Sequence, residues 1–312
     1  MFLEKNFFSD YTDCNLCPRG CRINRREKSG FCGESDRLSV DCYMTHFGEE
    51  PPVAFKKGSG TIFFTGCSLR CSFCQNMQIS QNPVKKKYYS TEDFFSIVRD
   101  LVEKGAENIN FVTPDHFLPH VIEAVKYMKK NNLNIPTVYN CSGYQSLESL
   151  KKVVDYIDVF LIDYKFSDKD AAKYCINTPD YPEICKKALE YLYKIKGNLK
   201  LDENGKASSG VLIRHLVMPD FIQNSLDVIN DIFFDFGVES YISVMSQYSQ
   251  AFLKNGLERI NRRLTFEEYK RVTDLVEGLG FKNGYIQEYI DCDDEYLPDF
   301  NQKNTFKQEG GR

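Results

Sequence analysis

The chain has 312 residues, of which 42% are hydrophobic and 27% are charged, and its formal net charge is −4. These values are typical of a soluble globular protein with one main core and a small appended module, and the slight acidic excess does not favour binding to nucleic acid. Charges interrupt the first residues, and no apolar stretch is long enough to cross a bilayer. We therefore predict a cytoplasmic protein without a membrane partner.

The first 56 residues have few periodic apolar positions but hold five of the 12 cysteines. Four of them follow the spacing C-x2-C-x3-C-x10-C, namely Cys14, Cys17, Cys21 and Cys32. In a reducing compartment, clustered thiols are more typical of metal ligands than of disulfides. Four thiols complete either a tetrahedral zinc site or a second, fully ligated iron–sulfur cluster, and the spacing leaves both open. We predict a metal-binding module and connector over residues 1–56.

A second cysteine motif follows the first predicted strand. The run Cys67-Ser68-Leu69-Arg70-Cys71-Ser72-Phe73-Cys74 carries three thiols with the spacing C-x3-C-x2-C. Three thiolates on one tight loop can bind three irons of a [4Fe–4S] cluster and leave the fourth iron open to another ligand. The remaining cysteines lack ligand spacing, and we expect them to pack as small buried side chains: Cys42, Cys141, Cys175, Cys185 and Cys292.

From residue 57 onwards, short β-rich runs alternate with amphipathic segments. The patterns predict strands over 61–65, 108–112, 136–140, 157–163, 211–217 and 240–245. They predict helices over 91–104, 116–131, 146–154, 181–196, 222–235 and 265–279. Six β/α alternations indicate an α/β fold in which a parallel sheet curves into a partial barrel over residues 57–300.

Two further segments have local signals of their own. Residues 199–206 predict a hairpin insertion, with Asn204-Gly205 as a type I′ turn. Residues 301–312 are polar and predict a disordered tail.

Mostly polar residues lie at the ends of the predicted strands or just after them, where α/β barrels bind their ligands, and Arg214 lies on the fifth predicted strand. They are Thr113, Asp115, Asn140, Ser142, Gly143, Asp163, Lys165, Arg214, Gln247 and Tyr248. Carboxylates and carbonyls suit an ammonium group, Lys or Arg suits a carboxylate, and small polar side chains suit hydroxyls. These strand ends therefore predict a site for a ligand that combines an amino acid, a ribose and an adenine.

Five ordered segments and the cysteine loop resemble a known family. The segments are NINFVTP (108–114), YNCSGY (139–144), LIDYK (161–165), IRHLVMP (213–219) and MSQY (245–248). The chain resembles radical S-adenosylmethionine (SAM) enzymes over most of its length, and among them PflX-type relatives of the pyruvate formate-lyase activating enzyme. The resemblance implies a partial (β/α)6 TIM-like barrel, with a [4Fe–4S] cluster on Cys67, Cys71 and Cys74.

The resemblance also implies roles for individual side chains. Phe73 is an expected neighbour of the SAM adenine, and Lys165 and Arg214 are expected partners of its polar groups. The wider superfamily usually carries Gly-Gly-Glu after the second strand, whereas this chain has Thr113-Pro114-Asp115, so either Asp115 or the Thr113 hydroxyl would accept from the SAM ammonium. A strand-end salt bridge between Lys165 and Asp163 is the alternative to a binding role.

The resemblance implies an activity. Reductive cleavage of SAM gives a 5′-deoxyadenosyl radical that takes hydrogen from a protein or peptide substrate, as in an activase of glycyl radical enzymes, and the electron comes from a donor such as flavodoxin or ferredoxin. Radical modification of a small molecule or a ribosomal peptide is the first alternative. A redox or metal-binding interaction module without turnover is the second, and formation of 5′-deoxyadenosine would separate it from both enzymes.

Overall fold

The computed structural model describes residues 7–81, 83, 86–289, 297–302, 305 and 306. The strands are β1 (Val40–His46), β2 (Ser59–Phe64), β3 (Ile109–Val112), β4 (Thr137–Cys141), β5 (Val159–Asp163), β6 (Lys200–Leu201), β7 (Ala207–Leu216), β8 (Tyr241–Met245) and β9 (Asn283–Ile286). The helices are α1 (Pro51–Ala54), α2 (Met77–Ser80), α3 (Thr91–Glu103), α4 (Leu118–Lys130), α5 (Leu147–Val153), α6 (Lys169–Ile176), α7 (Tyr181–Lys196), α8 (Ile222–Phe236) and α9 (Phe266–Leu279).

One sheet orders the strands as β1-β2-β3-β4-β5-β7-β8-β9, with β6 paired to β7. Along the path from β2 to β9 all neighbours are parallel, and β1 is antiparallel to β2. The predicted α/β fold with a mostly parallel sheet is therefore confirmed, and all six β/α alternations occur. The short elements α6 and β9 were not predicted, because eight and four residues carry too little periodicity.

Local signals in the sequence explain where the long helices begin. Ser90 and Asp93 form a reciprocal capping box at the start of α3, and Thr265 and Glu268 do the same at the start of α9. Strands β2 and β4 are buried at every position, as expected when helices cover the outer face of a parallel sheet and side chains fill the inner face. In the described part of the chain, no helix has both the length and the apolar character needed to cross a membrane.

The short helix α1 closes the amino-terminal end of the barrel interior. Its Val53 packs in an apolar cluster with Val138, Val159, Leu161, Leu199, Ala207 and Leu212. The Asn108 side chain donates a 2.6 Å hydrogen bond to the Val53 carbonyl and holds the helix against β3. Helix α1, which lies in the predicted connector, therefore closes one end of the barrel interior.

The N-terminal segment also contributes to the sheet. Residues 40–46, which fall within the predicted metal-binding module and connector, form the edge strand β1. Tyr11 and Leu16 belong to the same apolar core as the strands of the barrel. The division of the chain at residue 56 stays a prediction.

The predicted hairpin over residues 199–206 is present, but its predicted turn type is wrong. The Asp202 carbonyl accepts from the Gly205 N–H at 3.0 Å, so Glu203 and Asn204 are the central residues. A type I′ turn needs positive φ at both central positions, whereas only Gly205, at the next position, has it, with φ of +89°. The Asp202 carboxylate accepts from the N–H groups of Asn204 and Lys206, both at 2.9 Å, and fixes this longer loop.

Part of the predicted disordered tail is packed. The Phe306 ring lies 4.3 Å from the His46 ring and 5.7 Å from the Phe63 ring, measured between centroids. The Thr305 carbonyl accepts from the Asp299 N–H at 2.8 Å. Residues 303, 304 and 307–312 of this predicted tail lie outside the described residues, as does Cys292.

Candidate active site

The cysteine loop begins directly after β2 and turns sharply. Gly66, with φ of +77°, and Arg70, with φ of +59°, adopt left-handed backbone conformations, which bring the three cysteines onto one tight loop. Cys67 and Cys71 are buried, and Cys74 is partly buried. Polar groups lie within hydrogen-bonding distance of two of the sulfurs, those of Cys67 and Cys74.

Hydrogen bonds to those sulfurs favour thiolates. The Leu69 N–H donates to Cys67 Sγ at 3.4 Å, and Ser80 Oγ lies 3.3 Å from Cys74 Sγ. Burial, together with the neighbouring Cys74, raises the pKa of Cys67 to about 12, so the thiolate needs a compensating cation such as bound iron. In the part of the chain that the structure describes, no three His, Cys, Asp or Glu side chains surround a single ion position. Three thiols on one loop suit a [4Fe–4S] cluster, which binds each thiolate to a different iron.

Phe73 and Tyr248 meet in an aromatic group at the cysteine loop. The ring of Phe73 lies 6.3 Å from that of Phe166 and 6.1 Å from that of Tyr248. The Tyr248 hydroxyl donates to the Ile260 carbonyl at 2.7 Å. Gln247, the residue before it, accepts through its carbonyl from the Gln75 side chain at 2.6 Å, so the loop after β8 is tied to the cysteine loop.

A charged network joins the carboxyl ends of β4, β5 and β7. Asp163 accepts from Lys165 Nζ at 2.6 Å and from Arg214 Nε at 2.8 Å. Arg214 also donates to the Asn140 side-chain oxygen at 2.6 Å and to a Glu49 carboxylate oxygen at 3.3 Å. The salt bridge between Lys165 and Asp163, the alternative weighed above, is therefore present.

The charges of this network reach the cysteine loop. Burial alone would raise the pKa of Asp163, but the nearby Arg214 and Lys165 cations outweigh it and hold this pKa below its usual value. Lys165 is close enough to Cys71 for its charge to favour the thiolate. Lys165 keeps 15% of its side chain exposed. The structure thus brings the predicted cluster loop together with the predicted cationic binding residues.

Glu49 and Glu50, in the segment that leads into α1, complete the network, and the sequence analysis missed both. Asn110 donates to a Glu49 carboxylate oxygen at 2.9 Å inside the barrel. Glu50 is buried, and burial together with Glu49 raises its pKa above the usual value, against the effect of Arg214. The only local signal was an acidic pair before Pro51-Pro52, which does not show that the pair enters the barrel.

Ser142 and Gly143 form the turn after β4. Gly143 has φ of +79°, and a Cβ there would lie 2.4 Å from the Asp163 carbonyl oxygen and 2.6 Å from Cys185 Sγ. Glycine therefore allows the close approach of this turn to the end of β5. The Tyr181 hydroxyl lies 2.9 Å from the Ser142 carbonyl oxygen and 2.7 Å from that of Asp163, and braces both.

Several buried polar atoms of this region lack a protein partner among the described residues: Asn110 Oδ1, Ser142 Oγ and Glu50 Oε2. Buried polar groups are normally hydrogen-bonded, so each of these is an available acceptor or donor for a bound molecule. Together with the charged network, they fit the ammonium, carboxylate and hydroxyl groups of SAM.

Thr113 and Asp115 have different surroundings. Thr113 has φ of +52°, rare for a β-branched residue, and its N–H donates to the Asn140 carbonyl at 2.8 Å. Asp115 is 1% exposed and accepts from the Tyr139 hydroxyl at 3.1 Å and from Ser68 Oγ at 3.5 Å. Asp115 therefore lies behind the cysteine loop, outside the network of Asp163.

We expect Asp115→Asn to stabilise the protein at neutral pH. Burial raises the pKa of Asp115 to about 6, above the value of about 3.9 in an unfolded chain. The folded state retains a proton that the unfolded state releases, so this group makes the protein less stable as the pH rises from about 4 through about 6, by roughly 3 kcal/mol in total. Thermal unfolding measured across this pH range should show that the stability of the variant, relative to the wild type, increases as the pH rises.

The matched control for this prediction is Asp180→Asn. Asp180 also accepts from a tyrosine hydroxyl, that of Tyr144 at 3.1 Å, but it is exposed to solvent. Its replacement removes a similar hydrogen bond without removing a buried carboxyl, so it should not stabilise the protein as Asp115→Asn does. Parallel profiles for Asp115→Asn and the wild type would contradict the prediction.

The sequence matches one family model and several known proteins. The sequence profile of the radical SAM superfamily matches residues 61–223. MJ0674 of Methanocaldococcus jannaschii, an uncharacterized protein, is 32% identical over 288 residues, which are 88% of this chain and 76% of that protein. MJ1227 of the same organism, provisionally named a glycyl-radical enzyme activating enzyme, is 26% identical over 145 residues, 46% of this chain and 58% of that protein.

Solved structures share the fold. SuiB of Streptococcus suis bound to precursor peptide SuiA superposes with a TM-score of 0.50 and 11% identity, covering 71% of this chain and 46% of that chain. SuiB bound to S-adenosylmethionine gives a TM-score of 0.50 and 12% identity, covering 71% of this chain and 48% of that chain. This chain thus spans less than half of SuiB, and the likeness concerns the fold alone.

Proposed function

The chain belongs to the radical SAM superfamily, and we propose that it is an enzyme that cleaves SAM reductively and uses the resulting 5′-deoxyadenosyl radical on a protein or peptide. The observation that carries the proposal is the proximity of Lys165 and its ion-pair partner Asp163 to the thiol of Cys71. A cluster on Cys67, Cys71 and Cys74 would supply the electron and an open iron. The protein's own residues would bind and orient SAM.

The proposed binding residues divide by chemistry. Lys165 and Arg214 offer cations to the SAM carboxylate, while Asp163 holds both in place. Small polar or aromatic groups complete the proposed site, as adenine, ribose and ammonium contacts: Phe73, Thr113, Asn140, Ser142, Gly143 and Tyr248. Asp115 stays a proposed SAM residue, although its carboxylate bonds to Ser68 and Tyr139 favour a role beneath the cluster loop.

The name of MJ1227 supports the proposal that this protein activates a glycyl radical enzyme, which would be its substrate. In this proposal, a one-electron donor of the flavodoxin or ferredoxin class reduces the protein, and a protein or peptide substrate loses a hydrogen atom to the radical. The net charge of −4 does not favour nucleic acid as the substrate.

Anaerobic reconstitution with iron and sulfide tests the proposal. The reduced protein should convert SAM to 5′-deoxyadenosine and methionine, and SAM should change the electron paramagnetic resonance (EPR) spectrum of the reduced cluster. A spectrum that does not respond to SAM, together with no cleavage, would leave the non-catalytic module as the better account. A glycyl radical signal in an enzyme encoded beside this gene would identify the activase.

We expect Lys165→Ala to weaken SAM binding by roughly tenfold to a hundredfold, because a hydrogen bond to a charged group is worth about 1.5–3 kcal/mol. Asp163 keeps its bond to Arg214 in this variant, so stability should change little. Calorimetric titration of the reconstituted protein with SAM measures the effect. The control is Lys187→Ala, which removes an exposed lysine paired with Glu183. Equal SAM affinities for the two variants would mean that Lys165 serves only the salt bridge to Asp163.

A further inference from the structure

The two cysteine-bearing segments interlock. The Cys67 N–H donates to the Cys32 carbonyl at 3.3 Å, which joins a residue of each set by one hydrogen bond. A Cβ on Gly66 would lie 2.7 Å from the same Cys32 oxygen, so only glycine allows the backbones to approach this closely. Arg19, between Cys17 and Cys21 in sequence, donates to the Ser68 carbonyl at 2.9 Å. The first cysteine set therefore packs directly on the loop of the second.

A buried cation indicates that negative charge belongs in the first set. Arg25 is fully buried, and its guanidinium donates to the backbone carbonyls of Glu34, Ser35 and His116. Among the described residues, its bonds include no carboxylate. If ionised, the sulfurs of Cys14 and Cys32 would be close enough to interact with its charge, as would the Tyr11 hydroxyl. Because an unpaired buried cation is strongly unfavourable, thiolates at these positions would compensate it.

The position of the first cysteine set against the cluster loop favours a cluster over zinc, because a cluster could exchange electrons with its neighbour and zinc could not. A structural zinc site needs four ligands around one ion, with sulfurs at about 2.3 Å. Cys21 and Cys32 both lie close to Gly30, where a Cβ would be 3.8 Å and 3.4 Å from their sulfurs, so these two thiols share one locality. In a [4Fe–4S] cluster, each of the four thiolates would bind a different iron.

We propose that Cys14, Cys17, Cys21 and Cys32 bind a second [4Fe–4S] cluster that passes electrons to the cluster on Cys67, Cys71 and Cys74. The electron-transfer role rests on the proposed function. In this step the second cluster is oxidised by one electron from its 1+ to its 2+ state, and the first cluster is reduced from 2+ to 1+. No atom moves, and a donor of the flavodoxin or ferredoxin class reduces the second cluster again.

Metal content tests the cluster itself. Reconstituted wild-type protein should hold about eight irons and eight sulfides, and C67A/C71A/C74A about four of each. This triple variant, reduced with dithionite, should keep an EPR signal that SAM does not change. C21S replaces the partly exposed ligand and should lose that signal, while C42S, a cysteine outside both sets, should keep both signals. About one zinc per chain in the triple variant, or no metal, would overturn the proposal.

Counting products tests the electron transfer. Protein reduced with dithionite, freed of reductant and mixed with SAM should form about two 5′-deoxyadenosines per chain, whereas C21S should form about one. One product from wild-type protein that carries eight irons would overturn the relay. If no protein forms product although both EPR signals are present, the proposed SAM cleavage fails and the second cluster stands. If C21S does not fold, the number of products that wild-type protein and C42S form per chain decides: about two supports the relay, and one overturns it.

Discussion

Replacing Cys67, Cys71 and Cys74 together by alanine should reduce the formation of 5′-deoxyadenosine to the level of a protein-free control. Three thiols follow a strand at the carboxyl edge of the sheet in this loop, beside Lys165 and Asp163. Without thiolates, no iron is held at the site, so neither the electron nor the open coordination position is available. Chromatography of a SAM reaction under anaerobic reduction measures the product.

Cys175→Ala is the matched control for this variant. Cys175 is also buried, and its carbonyl accepts from the Ser72 N–H of the cysteine loop at 3.2 Å, but its sulfur belongs to neither ligand set. The control should retain its iron and its SAM cleavage. Cleavage by the triple variant at a rate near that of this control would show that the reaction depends on another site.

Arg214→Ala should cause the largest loss of stability among the residues of the site, about 3–5 kcal/mol in the free energy of unfolding. Arg214 is 13% exposed and bonds to Asp163, Glu49 and Asn140. Its removal leaves buried carboxylates without their cation inside the barrel. Thermal and urea unfolding of the variant and the wild type measure the difference.

The pH dependence gives a second readout of the same ion pair. The cations hold the pKa of Asp163 below its unfolded value, so this pair stabilises the protein above about pH 4 and ceases to do so as the pH falls through the lowered pKa. The deficit of Arg214→Ala should therefore shrink in acid.

Arg259→Ala is the comparison for Arg214→Ala. Arg259 pairs with Asp220, but the two side chains are 52% and 43% exposed, and exposed pairs contribute about 0–1 kcal/mol. Equal losses of stability for the two arginine variants would mean that the Arg214 network does not hold the barrel. A stable Arg214→Ala variant that binds SAM weakly would show that this arginine acts in SAM binding alone and does not hold the barrel together.

The sequence alone determined the features that depend on local spacing. Three thiols within eight residues and four within nineteen indicate metal ligands wherever the chain folds. Alternating apolar runs and amphipathic segments predicted the six β/α units, because the periods of strands and helices differ and each is visible in a short window. The predicted placement of Lys165 and Asp163 at the end of β5 followed from the same pattern.

Only the tertiary structure decided which distant polar groups meet. Glu49 is 165 positions from Arg214 along the chain, yet their side chains bond inside the barrel, and Arg25 reaches the carbonyl of His116, 91 positions away. No periodic pattern in the sequence predicts such contacts, because they depend on how the segment before α1 and the N-terminal segment pack against the folded sheet. For the same reason, the sequence could not place Asp115 behind the cysteine loop, where burial, more than its position after a strand, sets its pKa.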